Sequence, residues 1–344
     1  MRIIRVIFLS ILSGIIISCS KADRKVRPSI YHWKQEYAPT NYELNFLKRH
    51  GINKIYLRFF DIKFTENKVV PVSTISFIKA VDPGYEIVPV VYIDNTIFKQ
   101  IHSEEIQELA DKIYSRIKEI AKKNNLNNYK EIQIDCDWTK VSKEKYFNLI
   151  KELKSISSEI KISVTLRLHQ LKYRESAGIP PADRVSLMYY NMSKIDDIRT
   201  TNSILDNSEG EKYLTNYNPY PIPLDIALPI FEWSVLFQKN KLTAIFTDIM
   251  AENIGNMAIF RPSKDNRFVF DRDTVIRNIF VRKGDLLRLE SINFTSLSRA
   301  GENCADIIPE AQPSVNVTLF SLDSTQLTKY DSGKFLENIF DDFR

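Results

Sequence analysis

The segment EIQIDCDWT, residues 131–139, carries two aspartates two residues apart in a pattern that otherwise predicts a buried strand. Because strand side chains alternate between two faces, Asp135 and Asp137 are expected to share one face with Gln133, and the opposite face is apolar. A buried carboxylate without a partner costs several kcal/mol of stability. The pair is therefore either compensated by neighbouring cations or used for chemistry in a cleft.

Two carboxyl groups at this spacing suit acid–base chemistry. Same-face positions on a strand lie roughly 6–7 Å apart, and the catalytic carboxyl groups of glycosidases lie about 5–5.5 Å apart in retaining enzymes and about 6.5–9.5 Å apart in inverting ones. Like charges so close raise the pKa of one group, which would leave one acid and one base. The structural alternative is an internal ion-pair network of Asp135 and Asp137 with Arg58 and Arg167.

The elements that must position these residues alternate between strand and helix. Strand-like apolar segments occur at residues 29–33, 54–62, 87–93, 131–138, 161–168, 185–192, 225–231 and 315–322. Helical spacing of apolar residues occurs at 41–50, 74–81, 104–123, 143–155 and 332–343. This alternation predicts an α/β fold with a parallel sheet covered by helices, and eight such units indicate a (β/α)8 TIM barrel. A doubly wound open sheet is the alternative, but no glycine-rich loop follows the first strand.

The stretch between the seventh and eighth strands, residues 238–313, is too long for a loop and one helix. Helical spacing at 242–254 predicts a helix there, and mixed segments follow at 267–280 and 285–292. We interpret this stretch as a small insertion packed on a single barrel domain that spans residues 28–344.

Polar and aromatic residues cluster where the predicted strands end, which is where barrels of this type carry their sites. Aromatic faces stack on the apolar face of a sugar ring, while carboxylates, guanidinium groups and amides bond its hydroxyls, so we expect a carbohydrate partner. A phosphate or metal site would need more cationic donors or clustered ligands, and no cofactor or metal is expected. The candidate substrate-binding residues are Tyr31, Trp33, Arg58, Asp61, Tyr92, Asp94, Arg167, Tyr190, Asn191, Trp233 and Asp323.

Three strand segments resemble strands four, six and seven of family-18 glycoside hydrolases, the chitinase-like group: IQIDCDWT, SLMYYNM (residues 186–192) and ALPIFEW (residues 227–233). Strand four of that family carries D-x-x-D-x-D-x-E, and strand six carries M-x-Y-D. Asp135 and Asp137 fall on the second and third aspartates, Met188 and Tyr190 on the strand-six pair, and Asn191 on its aspartate. The closing VTLFSLD (residues 317–323) and the N-terminus also resemble an uncharacterised group of bacterial glycosidase-like lipoproteins.

The sequence departs from the family pattern at the residue that matters most for catalysis. Thr139 stands where the family places its general acid, and Ile132 stands at the first aspartate. The resemblance implies that Asp137 would orient a reacting N-acetyl group, but a threonine hydroxyl cannot act as the acid near neutral pH. Glu232, at the end of strand seven, is the candidate replacement acid, with Asp323 behind it.

Two functions follow from these residues. The first is hydrolysis of a polysaccharide or envelope glycan, with Asp135, Asp137 and Glu232 as the catalytic group. The second is a barrel that has lost catalysis and binds glycan or scaffolds an envelope complex. A carboxyl group that reaches across the cleft toward Asp137 would favour the first.

The N-terminus predicts export and lipidation. A basic start (MRIIR) precedes an apolar run at residues 6–17, and IISC at 16–19 resembles a bacterial lipobox. We expect a signal peptide over residues 1–18, acyl chains such as palmitate on Cys19, and a polar tether at 19–27. An uncleaved anchor is the alternative. Residues 20–24 lack an acidic run, which favours a lipid-anchored protein at the cell envelope, on the periplasmic face of the outer membrane, and leaves surface exposure open.

Composition excludes other classes of function. The chain has 344 residues, and its 48 Lys and Arg against 43 Asp and Glu give a net charge of +5. The lysines are spread along helical segments, so no nucleic-acid partner is expected. Cys136 and Cys304, the cysteines that remain beside Cys19, do not suggest a disulfide framework.

Overall fold

The computed structural model describes residues 24–249 and 259–344. The predicted signal peptide and Cys19 lie outside these residues. Among the helices within the described ranges, none combines the length and the apolar character needed to cross a membrane.

Eight parallel strands form a closed barrel, as the alternation predicted. The first strand pairs with both the last strand and the second, through Tyr31↔Phe320 and Tyr31↔Tyr56, and this double pairing closes the barrel. The strands are β1 (Lys25–His32), β2 (Lys54–Thr65), β3 (Glu86–Ile93), β4 (Glu131–Asp135), β5 (Lys161–Arg167), β6 (Arg184–Met188), β7 (Leu224–Pro229) and β8 (Ser314–Phe320).

Helices cover the outside of the barrel, and the longer ones bury an apolar face. The longest, α3, buries Ile106, Leu109, Ile113 and Ile117 at helical spacing, and its neighbour α4 packs beside it. The helices are α1 (Asn41–Arg49), α2 (Ile97–Gln100), α3 (Ile106–Lys123), α4 (Lys143–Ile156), α5 (Leu168–Lys172), α6 (Arg174–Ala177), α7 (Asn207–Leu214), α8 (Phe294–Ala305), α9 (Ser324–Leu327) and α10 (Phe335–Asp341).

The predicted helix at residues 74–81 is wrong. After β2 the chain turns at Glu66 and Asn67, both with positive φ, and returns as an antiparallel strand, Lys68–Val72, on the end of β2. Ser76–Phe77 then pairs with Glu36–Tyr37. A turn that takes two positive-φ residues favours a hairpin, and the β-branched residues after it favour extended backbone. The few apolar residues at helical spacing did not outweigh this local preference.

An antiparallel sheet lies between β7 and β8 in sequence. Its strands, in spatial order, are Lys241–Phe246, Trp233–Gln238, Leu286–Glu290, Arg267–Phe270 and Phe260–Pro262. A small separate core under it includes Leu236, Phe246, Phe270 and Leu287.

The predicted helix at 242–254 is wrong over its first part, which is a strand, and its end, residues 250–254, lies outside the described residues. Exposed and more buried side chains alternate along Lys241–Phe246, which is the period of a strand. The sheet already begins at Trp233, five positions before the boundary inferred from the sequence. Helix α8, which falls within 238–313, packs on the barrel core through Leu297 and Ala300.

Paired charges fill the N-terminal end of the barrel. Lys54 Nζ lies 2.7 Å from Glu131 Oε2, and Ser163 Oγ donates to the other carboxylate oxygen at 2.6 Å. Arg184 forms a two-pronged ion pair with Asp225. These side chains close the barrel below, so that an opening remains at the C-terminal ends of the strands.

Candidate functional site

A cleft of ≈ 470 Å³ opens at the C-terminal ends of the barrel strands. Most of the residues named from the sequence line it, although they come from seven different strands or the segments that follow them. The predicted residues that line the cleft are Tyr31, Trp33, Tyr92, Asp135, Asp137, Arg167, Tyr190, Asn191, Glu232, Trp233 and Asp323.

The two aspartates occupy different environments. Strand β4 ends at Asp135, and a hydrogen bond from Trp138 N to Cys136 O turns the chain there, so the strand does not continue to residue 138 as expected. Asp135 is buried and accepts a hydrogen bond from Thr165 Oγ1 at 2.6 Å. Asp137 lies beyond the strand with its side chain half exposed.

Arg167 holds Asp137 by two parallel hydrogen bonds. Its Nε donates to Oδ1 at 2.6 Å and its Nη2 donates to Oδ2 at 3.0 Å. This fork geometry fixes the orientation of the carboxylate. Of the two arginines that the sequence analysis considered as ion-pair partners of the aspartates, Arg167 therefore forms such a pair, with Asp137.

The pKa of Asp135 is raised to about 6, mainly by burial and secondly by the charge of Asp137. The hydrogen bond from Thr165 and the charges of Arg167 and Arg58 oppose the rise. Asp135 is therefore largely protonated below pH 6. Asp135 is therefore a candidate acid, and the main cause is its burial.

Arg58 pairs with Asp61 and not with the strand-four aspartates. Phe59 forms a bulge in β2, since Arg58 pairs with Val90 of β3 and Phe60 with Val91. A bulge reverses the alternation of faces, so Arg58 and Asp61 come to the same side and Arg58 Nε donates to Asp61 Oδ1 at 2.7 Å. The sequence carries no signal that would place a bulge at this position.

Arg58, Asp61 and Asp94 do not line the cleft, so their geometry does not support direct substrate contacts. Arg58 supports Trp33 from behind: Nη1 donates to Trp33 O at 3.3 Å, and the guanidinium lies 5.1 Å from the indole centroid. Asp94 accepts hydrogen bonds from the backbone and hydroxyl of Thr96, at the turn before α2. Its side chain is used to stabilise that turn.

Aromatic rings form one side of the cleft. Phe320, at the end of β8, is surrounded by Trp33, Tyr190 and Phe231 at centroid distances of 5.5, 5.4 and 5.6 Å. Trp33 is half-buried, whereas Tyr31 lies beneath it, 2% exposed, and donates its hydroxyl hydrogen to Gln133. The partly exposed rings offer flat apolar surface to a ligand.

Glu232 and Trp233 enter the cleft from the segment after β7. Glu232 is buried, and Lys329 Nζ lies 3.4 Å from its Oε2. The indole of Trp233 donates to Glu290 Oε2 at 3.0 Å. Glu290 is fully buried in the antiparallel sheet and pairs with Arg288, so the orientation of Trp233 depends on that sheet.

Two arginines of the antiparallel sheet hold the loop that follows β6. Arg288 donates to the carbonyl oxygens of Ile195 and Asp197, each at 2.8 Å. Arg267 donates to the carbonyl oxygen of Thr200 at 3.1 Å. This loop continues from Tyr190 and Asn191, so the sheet and the loop form one wall beside the cleft.

The remaining site residues lie at the rim. Asp323 caps α9 by accepting from Thr325 N, and Lys34 Nζ lies 3.3 Å from its Oδ2. Asn191 is exposed and adopts a left-handed backbone conformation, with φ of 54°. Tyr92 is half-buried.

The sequence analysis did not single out several cleft residues. Thr165 lies two positions before Arg167 on β5, so strand alternation could have placed it on the inward face. Phe231 and Phe320 were treated as strand interior, and no pattern marks them as lining. The residues missed are Lys34, Thr165, Phe231, Thr247, Phe320, Ser321 and Gln326.

Thr139 does not take part in the cleft lining. It is exposed, its backbone N–H donates to Ser142 Oγ at 2.9 Å, and its carbonyl oxygen accepts from Lys143 N. These bonds make it part of the start of α4. Within the described ranges, no group of three or more His, Cys, Asp or Glu side chains is arranged to hold a metal ion.

No protein-family model and no curated protein sequence matches the chain. Solved structures do match it in fold. The Group IV chitinase of Ostrinia furnacalis, in complex with allosamidin, is similar with a TM-score of 0.53 and 11% identity over 93% of this chain and 98% of that one. The Bacillus cereus spore cortex-lytic enzyme SleL is similar with a TM-score of 0.51 and 12% identity over 94% of this chain and 75% of that one.

A third similar structure is a glycoside hydrolase family 18 N-acetylglucosaminidase from Paenibacillus barengoltzii, with a TM-score of 0.50 and 10% identity over 93% of this chain and all of that one. At these identities the likeness concerns the fold. The resemblance inferred from the strand segments is confirmed at that level: the chain is a chitinase-like TIM barrel.

Proposed function

We propose that the cleft binds a carbohydrate chain and hydrolyses a glycosidic bond in it. The observation that carries the proposal is that three carboxyl groups line one cleft: Asp135 and Glu232 are buried there, and Asp137 is fixed by two hydrogen bonds from Arg167. Trp33 and Trp233 line the same cleft and suit the apolar face of a sugar. The fold shared with chitinases is consistent with this class of substrate.

Glu232 is the proposed proton donor. Thr139 has no acidic proton to give and lies outside the cleft lining, whereas Glu232 lines the cleft with the acidic pair. In the proposed reaction Glu232 protonates the leaving oxygen as the glycosidic bond breaks. Water then adds to the sugar carbon and returns a proton to Glu232. Asp137, held in orientation by its two hydrogen bonds from Arg167, stabilises the positive charge that develops on the sugar.

We further propose that this reaction takes place at the cell envelope. The basic start, the apolar run and the IISC segment support export and acylation at Cys19. The substrate would then be a polysaccharide or envelope glycan within reach of a membrane-anchored barrel.

A second candidate function is glycan binding, or scaffolding of an envelope complex, without hydrolysis. The position of Thr139 favours it, because the strand-four acid of the resembling family is replaced by a residue that only helps to begin α4. The aromatic side of the cleft serves a binding protein as well as an enzyme.

One experiment separates the two candidates. The chain from residue 20 onward is incubated with bacterial exopolysaccharides and amino-sugar polymers, and both reducing-end release and binding are recorded. Hydrolysis predicts release that falls at least about 100-fold in Glu232→Gln and Asp137→Asn, which is the usual scale of a lost acid–base group. Asp94→Asn, a carboxylate outside the cleft, is the matched control and should retain activity. Binding without release in the wild-type protein would instead establish the second candidate.

A further inference from the structure

A hairpin in the segment between β7 and β8 presents apolar side chains to solvent. It consists of the strands Thr274–Ile276 and Ile279–Val281, joined by Arg277 and Asn278, both with positive φ. Such a two-residue turn matches the twist of the strands and fixes their register. The side chains of the hairpin therefore have definite inner and outer faces.

The apolar side chains on the inner face of the hairpin pack against the protein. Ile276 and Ile279 pack against the small core of the antiparallel sheet, and Val281 is fully buried within it. Gln238 Nε2 donates to Phe280 O at 2.9 Å and holds the hairpin against the neighbouring strand. The hairpin is thus anchored to the sheet.

The outer face is unusual for a strand pair in water. Val275 and Phe280 lie directly opposite each other and are 62% and 53% exposed. Solvent-facing positions of a half-buried hairpin are ordinarily polar. Both outward positions are apolar here, which indicates that this face is covered in the working protein.

Three cations flank the exposed pair. Arg272, Arg282 and Lys283 are exposed and form no ion pair within residues 24–249 and 259–344. The neighbouring carboxylates of Asp273 and Asp285 accept hydrogen bonds from backbone N–H groups. The three cations outnumber these two carboxylates by one, so the net charge offered to a partner is positive.

We propose that the outer face of this hairpin docks on an anionic lipid surface, with Phe280 and Val275 entering the headgroup region and the three cations contacting lipid phosphates. A stable protein partner ordinarily buries about 800 Å² on each side, far more than two side chains provide. An aromatic and an aliphatic side chain ringed by Arg and Lys suit the membrane interface instead. This contact is separate from the anchor proposed at Cys19 and from the chemistry of the cleft.

The test measures co-sedimentation of the unacylated chain with lipid vesicles. The protein begins at residue 20, so Cys19 is absent, and it retains the whole barrel, including the bonds of Arg24 to the carbonyl oxygens of Ile308 and Phe343. Vesicles of phosphatidylglycerol and phosphatidylcholine in equal parts should bind it, and pure phosphatidylcholine should bind it about tenfold more weakly or less.

Two variants remove the two parts of the proposed contact. Val275→Thr with Phe280→Thr keeps the strand preference and removes the apolar pair, and Arg272→Gln with Arg282→Gln and Lys283→Gln removes the cations. Each should lower partitioning onto the anionic vesicles about tenfold without changing Tm, because all five side chains are exposed.

Matched controls and contrary outcomes complete the design. Ile78→Thr, an apolar residue 65% exposed elsewhere, should bind as the wild-type protein does. So should Lys118→Gln with Lys122→Gln and Lys123→Gln on α3. Equal binding to both vesicles, no binding at all, or hairpin variants that bind normally would overturn the proposal. So would a dimer in light scattering that the Phe280 change abolishes, since the occupant would then be a second copy of the chain.

Discussion

Charged side chains have different surroundings at the two ends of the barrel. At the closed end, Lys54 and Glu131 are 2% and 5% exposed and satisfy each other with help from Ser163. At the open end, Asp135 has a hydroxyl as its hydrogen-bond partner, and Asp137 is half exposed beneath Arg167. The carboxylates near the opening can accept further hydrogen bonds, whereas those at the closed end already accept theirs from groups of the protein.

The contrast shows what distinguishes a structural charge from a functional one in the same strand. Glu131, Gln133 and Asp135 alternate along β4 and all point inward. Their surroundings decide their roles: Glu131 meets the cation of Lys54 at the closed end, whereas Asp135 faces the cleft where a ligand would bind. The following changes test this difference, beginning with the largest expected effect.

Lys54→Met should destabilise the protein by about 3–5 kcal/mol, because Glu131 would remain as a buried carboxylate without its cation. The free energy of unfolding in urea measures the loss. The double change Lys54→Met with Glu131→Gln leaves no buried charge and should recover much of it. A single variant that loses less than about 1 kcal/mol would mean that the closed end does not depend on the pair.

Asp135→Asn should change how stability depends on pH. The raised pKa of Asp135, about 6 against an ordinary 3.8, means that the folded protein binds the proton more tightly than the unfolded chain does. Stability from this group is therefore lost as the pH rises from about 4 to 6, and the asparagine variant should be more stable than the wild type by about 3 kcal/mol at pH 7.5.

Urea titrations at pH 4 and pH 7.5 check this expectation, and the gain should disappear at the lower pH. Asp94→Asn, which keeps an acceptor at an exposed turn, is the control and should leave the pH dependence as it is. Equal stabilisation by Asp135→Asn at both pH values would show that Asp135 does not have a raised pKa in the folded protein.

Trp33→Ala should weaken glycan binding about tenfold, or ~1.4 kcal/mol, through the lost stacking surface. Trp138→Phe provides the comparison, since Trp138 is buried against Tyr146 and outside the cleft lining. That change should lower stability and leave affinity unaltered. Isothermal titration with any glycan that binds the wild-type protein reports both affinities, and equal losses in the two variants would remove Trp33 from the site.

Arg167→Gln should cost about 1 kcal/mol of stability or less, because its ion pair with Asp137 is half exposed and screened by solvent. Thermal denaturation measures this, with the Lys54 variant as the reference at the closed end. A loss as large as that of Lys54→Met would erase the distinction between the two ends.

The barrel could be predicted from the sequence because its strands are apolar, short and regularly spaced, and eight of them leave few other arrangements. Once the strands are assigned, their carboxyl ends are known, and a barrel carries its site there. Most cleft residues were therefore also predictable. The helix at 74–81 failed since a hairpin turn at Glu66 and Asn67 outweighed a few apolar residues at helical spacing. The position of Arg58 and Asp61 outside the cleft lining has a different reason: the bulge at Phe59 depends on pairing with β3, which local sequence does not encode.

The arginine contacts to the β6 loop have a consequence for local unfolding. Arg267 and Arg288 bind backbone carbonyl oxygens of the loop, and Glu290 accepts from both Ser203 and Trp233. Separating the strand Leu286–Glu290 from its neighbours would release the loop and the tryptophan together. The amide hydrogens of Ser203 and of that strand should therefore exchange with solvent at a common rate, as one cooperative unit whose opening frees one wall of the cleft without unfolding the barrel.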